Sequence, residues 1–179
     1  MKLKRIPKES YKTSKWSGGT TTEFYIYPEN GSYAERRFDV RISSATVDDE
    51  ESVFTRLEGV YRSLMILDGE IVLSVNGEKR RLAPYEHTEF TGEDDTRSIG
   101  YARDFNLMTR KKGGYTEKVS LPYKYKSNGG LMFLYCADCD VEATSEDESV
   151  NASKGDLIVC EGVGSITVEG DGFAIAAYV

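Results

Sequence analysis

The chain has 179 residues, a formal net charge of −7 and a mean hydropathy of −0.47. This length can bury roughly 70% of the unfolded chain's surface, in one core or in two small fused cores. The acidic balance repels nucleic-acid phosphates, and no apolar run reaches the roughly 18 residues of a membrane span, so we expect neither nucleic acid nor a membrane as partner.

Residue usage also indicates the compartment and the fold class. Three cysteines, with no apolar signal segment after Met1, favour a reducing compartment, and we expect a cytoplasmic location. Twelve tyrosines, seven phenylalanines and seventeen glycines are typical of twisted sheets joined by many turns. The composition predicts an all-β fold with little helix.

The amino-terminal third begins with a polar, basic segment and continues with strand patterns. Residues 1–15 are predicted to form an arm or an edge strand. Residues 38–47 alternate between apolar and polar, which places Arg41 and Ser43 on the polar face of a half-buried strand. A guanidinium beside a hydroxyl suits a carboxylate ligand.

The middle of the chain predicts a β-meander. The turn dipeptides Asp68-Gly69 and Asn76-Gly77 enclose one strand, residues 71–75, whose apolar side chains alternate. Arg62 lies at the start of this segment and can add positive charge to a site.

A further alternating strand is predicted at residues 104–110. Asp104, Asn106 and Arg110 share its polar face, and they offer a carboxylate, an amide and a guanidinium to one ligand. Additional strand patterns follow from residue 116 to the end of the chain. We predict a first barrel over residues 1–112, which includes the amino-terminal arm, and a second, smaller barrel over 113–179.

Several short segments of the chain form a recognisable series: residues 16–23, 41–45, 54–59 with Arg62, 67–69, 90–92 and 104–110. Taken in this order, they resemble the HutD/Ves family, small two-barrel cupin proteins linked to histidine utilisation. The resemblance covers most of residues 10–112, and where the family motif has an asparagine before its glycines, this chain has Ser17.

The resemblance implies a double-barrel (bicupin) fold and a ligand held inside a barrel. The family's proposed role is to bind a small formylated or formimino amino acid from histidine breakdown. Inward side chains of a barrel converge on one ligand, so Arg41, Ser43, Arg62, Asp104, Asn106 and Arg110 are the candidate contacts. The alternative is that these residues face outward on a half-solvated sheet, or form an internal ion pair between strands.

Two further residues have two interpretations each. Glu23 follows three threonines, and it either orients a ligand or caps a backbone turn. Trp16, the only tryptophan, either covers the ligand or anchors the arm in an apolar groove.

Most cupins hold a metal with two or three histidines and a glutamate, whereas this chain contains a single histidine, His87. A zinc site formed by His87 with Cys136, Cys139 and Cys160 is disfavoured, because the histidine and the cysteines belong to different predicted barrels. We therefore expect no metal and no other cofactor, and free buried thiols.

The leading hypothesis is a non-enzymatic, metal-free cupin that binds a small carboxylate and regulates histidine or amino-acid catabolism. One alternative is a metal-independent isomerase or epimerase that uses His87 with Tyr85. Another is an interaction module, and exposed sheet edges are compatible with a homodimer.

Overall fold

The computed structural model describes residues 1–16, 18–47, 51–110 and 113–179. They form seventeen strands and one short 3-10 turn, Lys8–Ser10. Ser17 of the first family segment and the expected boundary at residues 112 and 113 fall at or beside positions outside the described residues. The described chain contains no helix with the length and hydropathy needed to cross a lipid bilayer.

The chain divides into two compact units, and the larger comprises residues 11–115, here called the large barrel. A six-stranded sheet has the order β2-β3-β4-β11-β6-β9, and a four-stranded sheet has the order β5-β10-β7-β8. The strands are β2 (Lys12–Trp16), β3 (Gly19–Tyr27), β4 (Val40–Val47), β5 (Glu51–Val53), β6 (Tyr61–Gly69), β7 (Ile71–Val75), β8 (Glu78–Leu82), β9 (His87–Thr91), β10 (Thr96–Ile99) and β11 (Ala102–Thr109).

The second unit comprises residues 1–10 and 116–179, here called the small barrel. Its seven-stranded sheet has the order β12-β17-β13-β16-β14-β15, and β1 also pairs with β16. The strands are β1 (Lys2–Ile6), β12 (Tyr115–Ser120), β13 (Tyr123–Tyr135), β14 (Val141–Ser145), β15 (Ser149–Ala152), β16 (Leu157–Glu169) and β17 (Phe173–Tyr178).

The amino-terminal arm belongs to the small barrel, whereas the sequence analysis assigns it to the first barrel. Strand β1 pairs antiparallel with β16, from Lys2 opposite Glu161 to Ile6 opposite Leu157. Buried Asp156 reinforces this pairing, because it accepts hydrogen bonds from Arg5 Nε at 2.7 Å and from the Lys8 amide at 2.9 Å. Alternation in a sequence predicts a strand, but it does not say which distant strand is the partner.

The expected meander is also only partly present. Strands β7 and β8 form the predicted hairpin, with positive φ at Asn76 and Gly77. Strand β6 lies in the other sheet, and Gly69, with a φ of 77°, marks the corner where the chain changes sheets. Leu64 therefore faces the apolar side of β7 across an apolar cluster, and not along a shared ladder.

The two barrels have different interiors. The small barrel is filled by one large apolar cluster, whose central members include Met132, Leu134, Ile166 and Val168. The large barrel has smaller apolar clusters, which include Leu64 and Leu73 in one and others around Phe38.

Candidate functional site: a polar cavity in the large barrel

A cavity of about 270 Å³ lies inside the large barrel. Strands β4, β6 and β11 supply its charged side chains, and β2, β3 and β5 contribute further strand residues. It is lined by Ser14, Trp16, Thr21, Tyr33, Arg41, Ser43, Ala45, Val47, Ser52, Val53, Phe54, Thr55, Arg62, Asp104, Asn106 and Met108.

The strand register arranges the polar residues in rows. Met108 of β11 lies opposite Arg41 on β4 and opposite Arg62 on β6, which gives one basic row. Two residues earlier on β11, Asn106 lies opposite Ser43. Directly opposed residues point to the same side of a sheet, so period-2 alternation places these rows on one inner face.

Arg62 is the least compensated charge in the cavity. Its side chain is 6% exposed, and its Nε atom has no hydrogen-bond partner among the described residues. The guanidinium carbon lies 4.9 Å from the ring centre of Phe54 and 5.0 Å from that of Phe90. Burial lowers the pKa of Arg62 to about 10, so the group remains a cation at neutral pH.

Arg41 is held by neighbouring side chains. Its Nε donates to Glu23 Oε2 at 2.7 Å, and one terminal nitrogen donates to Ser43 Oγ at 3.0 Å. Its guanidinium carbon also lies 4.2 Å from the ring centre of Tyr33. Arg41 therefore has a carboxylate in direct ion-pair contact, whereas the carboxylate that acts on Arg62, Asp104, forms no ion pair with it among the described residues.

Asp104 sits at an irregularity in the β11 ladder. The register with β6 shifts between Arg103 and Asp104, and β-bulges of this kind re-aim side chains next to functional sites. Asp104 Oδ1 accepts the Ala45 amide at 2.7 Å, and its backbone carbonyl accepts Ser44 Oγ at 2.5 Å. Burial raises the pKa of Asp104 to about 6, against the lowering effect of the Ala45 amide and nearby arginines.

Two further cavity atoms are buried without a hydrogen bond among the described residues: Asn106 Oδ1 and Ser52 Oγ. Ser98 of β10 lies opposite Ser52, and its hydroxyl is also buried without a hydrogen bond among the described residues. An unpaired buried polar group costs about 1–3 kcal/mol, so this wall is arranged to receive polar atoms of a bound molecule or water.

Six of the eight candidate residues from the sequence line the cavity: Trp16, Arg41, Ser43, Arg62, Asp104 and Asn106. Glu23 is not among the lining residues, and it forms an ion pair with Arg41, which does line the cavity. Trp16 is 40% exposed on edge strand β2, where it contributes to the cavity wall. This placement fits the covering role better than an anchor in an apolar groove.

Arg110 is not among the cavity residues. Strand β11 ends at Thr109, and the Arg110 guanidinium donates to the backbone carbonyls of Glu58 at 3.1 Å and Arg36 at 2.7 Å. Arg110 therefore joins two loops of the barrel. Arg110 follows the last residue of β11, so the alternation of that strand does not determine where its side chain points.

Several cavity residues were missed from the sequence. Tyr33 lies in an irregular segment, and nothing in its local pattern indicates the cavity. Phe54 belongs to a family segment, but its apolar side chain gave no sign that it contacts an arginine. Ser52 follows positions outside the described residues, where the alternation gave no register.

His87 and Tyr85, the residues of the isomerase alternative, do not line the cavity. His87 of β9 lies opposite Met65, one residue out of phase with Arg62 and Leu64. The imidazole therefore belongs to the other side of the sheet. It borders a shallow depression with Arg80, Glu86, Thr88 and Glu89.

The cavity does not suit the metal that most cupins hold. Among the described residues, its wall has two guanidinium groups, one carboxylate and no imidazole, a donor set that repels a divalent cation. Within the described ranges, no group of three or more His, Cys, Asp or Glu side chains is placed to bind a metal. Cys136 and Cys160 are buried thiols in the small barrel, and burial raises the pKa of each to about 12.

Solved structures share this architecture. A conserved protein of unknown function, PA5104 from Pseudomonas aeruginosa PAO1, has a TM-score of 0.85 at 19% identity, covering 99% of this chain and 98% of that one. HutD from Pseudomonas fluorescens SBW25 has a TM-score of 0.76 at 22% identity, with 98% of both chains covered.

A cupin 2 conserved barrel domain protein from Leptotrichia buccalis has a TM-score of 0.59 at 13% identity, covering 98% of this chain and 95% of that one. These likenesses confirm the expected all-β, double-barrel cupin fold. Among curated proteins, none matches this sequence. The HutD family model matches residues 8–176, nearly the whole chain, and the protein therefore belongs to the HutD family.

Proposed function

We propose that the protein binds a small carboxylate in the cavity of the large barrel, without converting it. We further propose that this binding serves a regulatory role in histidine or amino-acid catabolism, with a formyl- or formimino-amino acid as ligand. The observation that carries the proposal is the buried Arg62 guanidinium, whose Nε has no hydrogen-bond partner among the described residues.

Energetics explain why an unpaired buried arginine indicates a ligand. Moving a cation out of water costs several kcal/mol unless a counter-charge and hydrogen bonds compensate. Arg41 has such compensation from Glu23 and Ser43. A bidentate carboxylate would supply it to Arg62, because the planar fork of guanidinium donors matches the two carboxylate oxygens.

The size and lining of the cavity narrow the class of ligand. A volume of about 270 Å³ is just below the usual range for drug-sized ligands, so it favours a molecule of amino-acid size. Val47, Val53 and Met108 provide apolar surface between the polar groups. An amino-acid derivative with a short carbon chain combines the required polar and apolar parts.

Family membership supports the pathway part of the proposal. The matching family model and one structural relative both have the name HutD, and the family resemblance implies a link to histidine utilisation. The position of His87 and Tyr85 outside the cavity supports binding without turnover by that pair.

The first test is a thermal-shift titration with formylglutamate, formiminoglutamate, urocanate and histidine. At 100 times Kd a ligand stabilises the folded state by about 2.7 kcal/mol, which corresponds to a rise in Tm of roughly 5–10 °C for this size. We expect a formyl or formimino acid to give this shift. If no carboxylate shifts Tm, the proposal is wrong.

Arg62→Met should abolish the ligand shift, while the matched variant Arg97→Met, changed at an exposed arginine of the same barrel, should keep it. Without ligand, the stability of Arg62→Met depends on two opposing effects: a buried cation without a hydrogen bond to Nε is removed, and Asp104 loses the favourable charge interaction with Arg62. A normal ligand response in Arg62→Met would contradict the proposal.

Binding without turnover has its own measurement. The ligand is incubated with a stoichiometric amount of protein, and its NMR spectrum is followed over hours. We expect the spectrum of the released ligand to be unchanged. Protein-dependent conversion would show that the protein is an enzyme.

A further inference from the structure

The inner face formed by β6 and β11 has a positive charge, Arg62, at one end and a negative charge, Asp104, at the other. Arg62 lies level with Met108, and Asp104 lies four residues earlier on the same strand, which is about 13 Å along the strand at 3.3 Å per residue. Asn106 lies between these two rows. Because Glu23 compensates Arg41, Arg62 and Asp104 are the charges at the two ends of this face.

The acidic end of this face offers the Asp104 carboxylate and the Asn106 amide oxygen as acceptors. Asp104 Oδ1 already accepts the Ala45 amide. Asn106 Oδ1 is buried in a side chain that is 4% exposed, and it has no hydrogen-bond partner among the described residues. The two residues are separated by two positions on one strand, so their side chains point into the same space.

We propose that the ligand is a zwitterion, with a carboxylate bound to Arg62 and a cationic nitrogen group with two or more N–H donors bound to Asn106 and Asp104. This inference rests on the proposed function, and it names the ligand class more narrowly. An amidinium, as in a formimino group, presents several N–H donors and a positive charge. A formyl amide presents one N–H and adds an oxygen acceptor to a wall that already has two.

Charge complementarity favours the same class. A zwitterion offers an opposite charge to both Arg62 and Asp104, whereas an anion without a nitrogen cation pairs with Arg62 and offers no cation to the buried Asp104 carboxylate. The charged groups that act on Asp104 are Arg62 on β6, Arg41 on β4 and Arg103 on its own strand. With its pKa near 6, Asp104 is mainly a carboxylate at neutral pH.

The test compares two probes with one carbon skeleton, N-formimino-L-glutamate and N-formyl-L-glutamate, by isothermal titration at pH 7.5. They differ at one group, a cationic nitrogen or a neutral oxygen. We expect the formimino compound to bind at least tenfold more tightly to the wild type. In Asp104→Asn this preference should fall to about twofold or less.

Two further measurements keep the inference testable if Asp104→Asn folds poorly. Asn106→Ala removes one acceptor and should reduce the preference about threefold. In the wild type the preference should also shrink as the pH falls from 7.5 to 5, because protonated Asp104 no longer attracts a cation.

The outcomes separate the two proposals. If both probes bind equally, or the formyl compound binds more tightly, and Arg62→Met abolishes both, the zwitterion inference is overturned and the proposed function stands. If Asp104→Asn keeps the full preference, the inference is likewise overturned. If neither probe nor any other carboxylate binds, the proposed function fails and this inference fails with it.

Discussion

The two barrels of this chain use the same kind of sheet to enclose different interiors. The small barrel is filled with apolar side chains, while the large barrel holds a polar cavity. All four buried side-chain polar atoms without a hydrogen bond, within the described ranges, lie in the large barrel: Ser52 Oγ, Arg62 Nε, Ser98 Oγ and Asn106 Oδ1. Three of these residues, Ser52, Arg62 and Asn106, line the candidate cavity.

Two buried aspartates, one in each barrel, show the same difference. Burial raises the pKa of each carboxyl, and in Asp104 this effect dominates, so its pKa rises to about 6. In Asp156 the donors from Lys8, Ser153 and Arg5 outweigh burial, and its pKa lies below the usual value. The charged form of Asp156 thus stabilises the folded state, whereas the charged form of Asp104 lowers its stability.

The largest effect is expected for Asp156→Ala. The change leaves the Lys8 and Ser153 amides without their acceptor and removes the ion pair to Arg5, which should lower the free energy of unfolding by about 3–4 kcal/mol. Urea denaturation measures this loss. The control Asp147→Ala, at an exposed ion pair with the amino terminus, should change stability by less than about 0.5 kcal/mol.

The pH dependence of the free energy of unfolding gives a second test of the role of Asp156. Because its pKa is lowered on folding, its stabilising contribution is present above the unfolded value of 3.8 and disappears as the pH falls through the folded value. The difference between wild type and Asp156→Ala should therefore shrink only below about pH 4. A difference that is already lost at pH 6 would contradict this assignment.

Asp104→Asn should act in the opposite direction. Because the folded pKa of Asp104 is raised from 3.8 to about 6, its favourable contribution is complete below about pH 4 and is lost as the pH rises through 6. The variant should be more stable than the wild type by about 2–3 kcal/mol at pH 8, and equally stable at pH 4. Denaturation curves across this range measure the effect, and a variant less stable than the wild type at pH 8 would refute it.

The smallest effects distinguish a paired hydroxyl from an unpaired one. Ser98→Ala removes a buried hydroxyl without a partner and should stabilise the protein by about 1 kcal/mol. Ser127→Ala, in the small barrel, removes the acceptor of the Gly129 amide and should destabilise it by about 1 kcal/mol. If both changes had the same sign, the difference between the two interiors would not depend on hydrogen bonding.

Local alternation predicted much of the fold and of the site. Residues 38–47 and 104–109 alternate as expected, and this period places Arg41, Ser43, Asp104 and Asn106 on one face. The prediction failed where alternation stops, at Arg110, which follows the last strand residue. Period-2 patterns identify faces of strands, but they do not mark where a strand ends.

Long-range pairing could not be predicted from local sequence. Strand β1 finds its partner about 155 residues away, and β6 and β7 enter different sheets although only Glu70 separates them. Tyr33 reaches Arg41 from an irregular segment. Such contacts depend on the closed barrel as a whole, and nothing within a short window of sequence encodes them.

Strand β2 is an exposed part of the cavity wall. All five of its residues are exposed, β3 is its sole partner strand among the described residues, and two of its side chains, Ser14 and Trp16, line the cavity. An edge strand with so little buried surface opens at low free-energy cost. Transient detachment of β2 would then set the residence time of the bound molecule, and occupancy would slow amide hydrogen exchange at residues 12–16 more than elsewhere in the barrel.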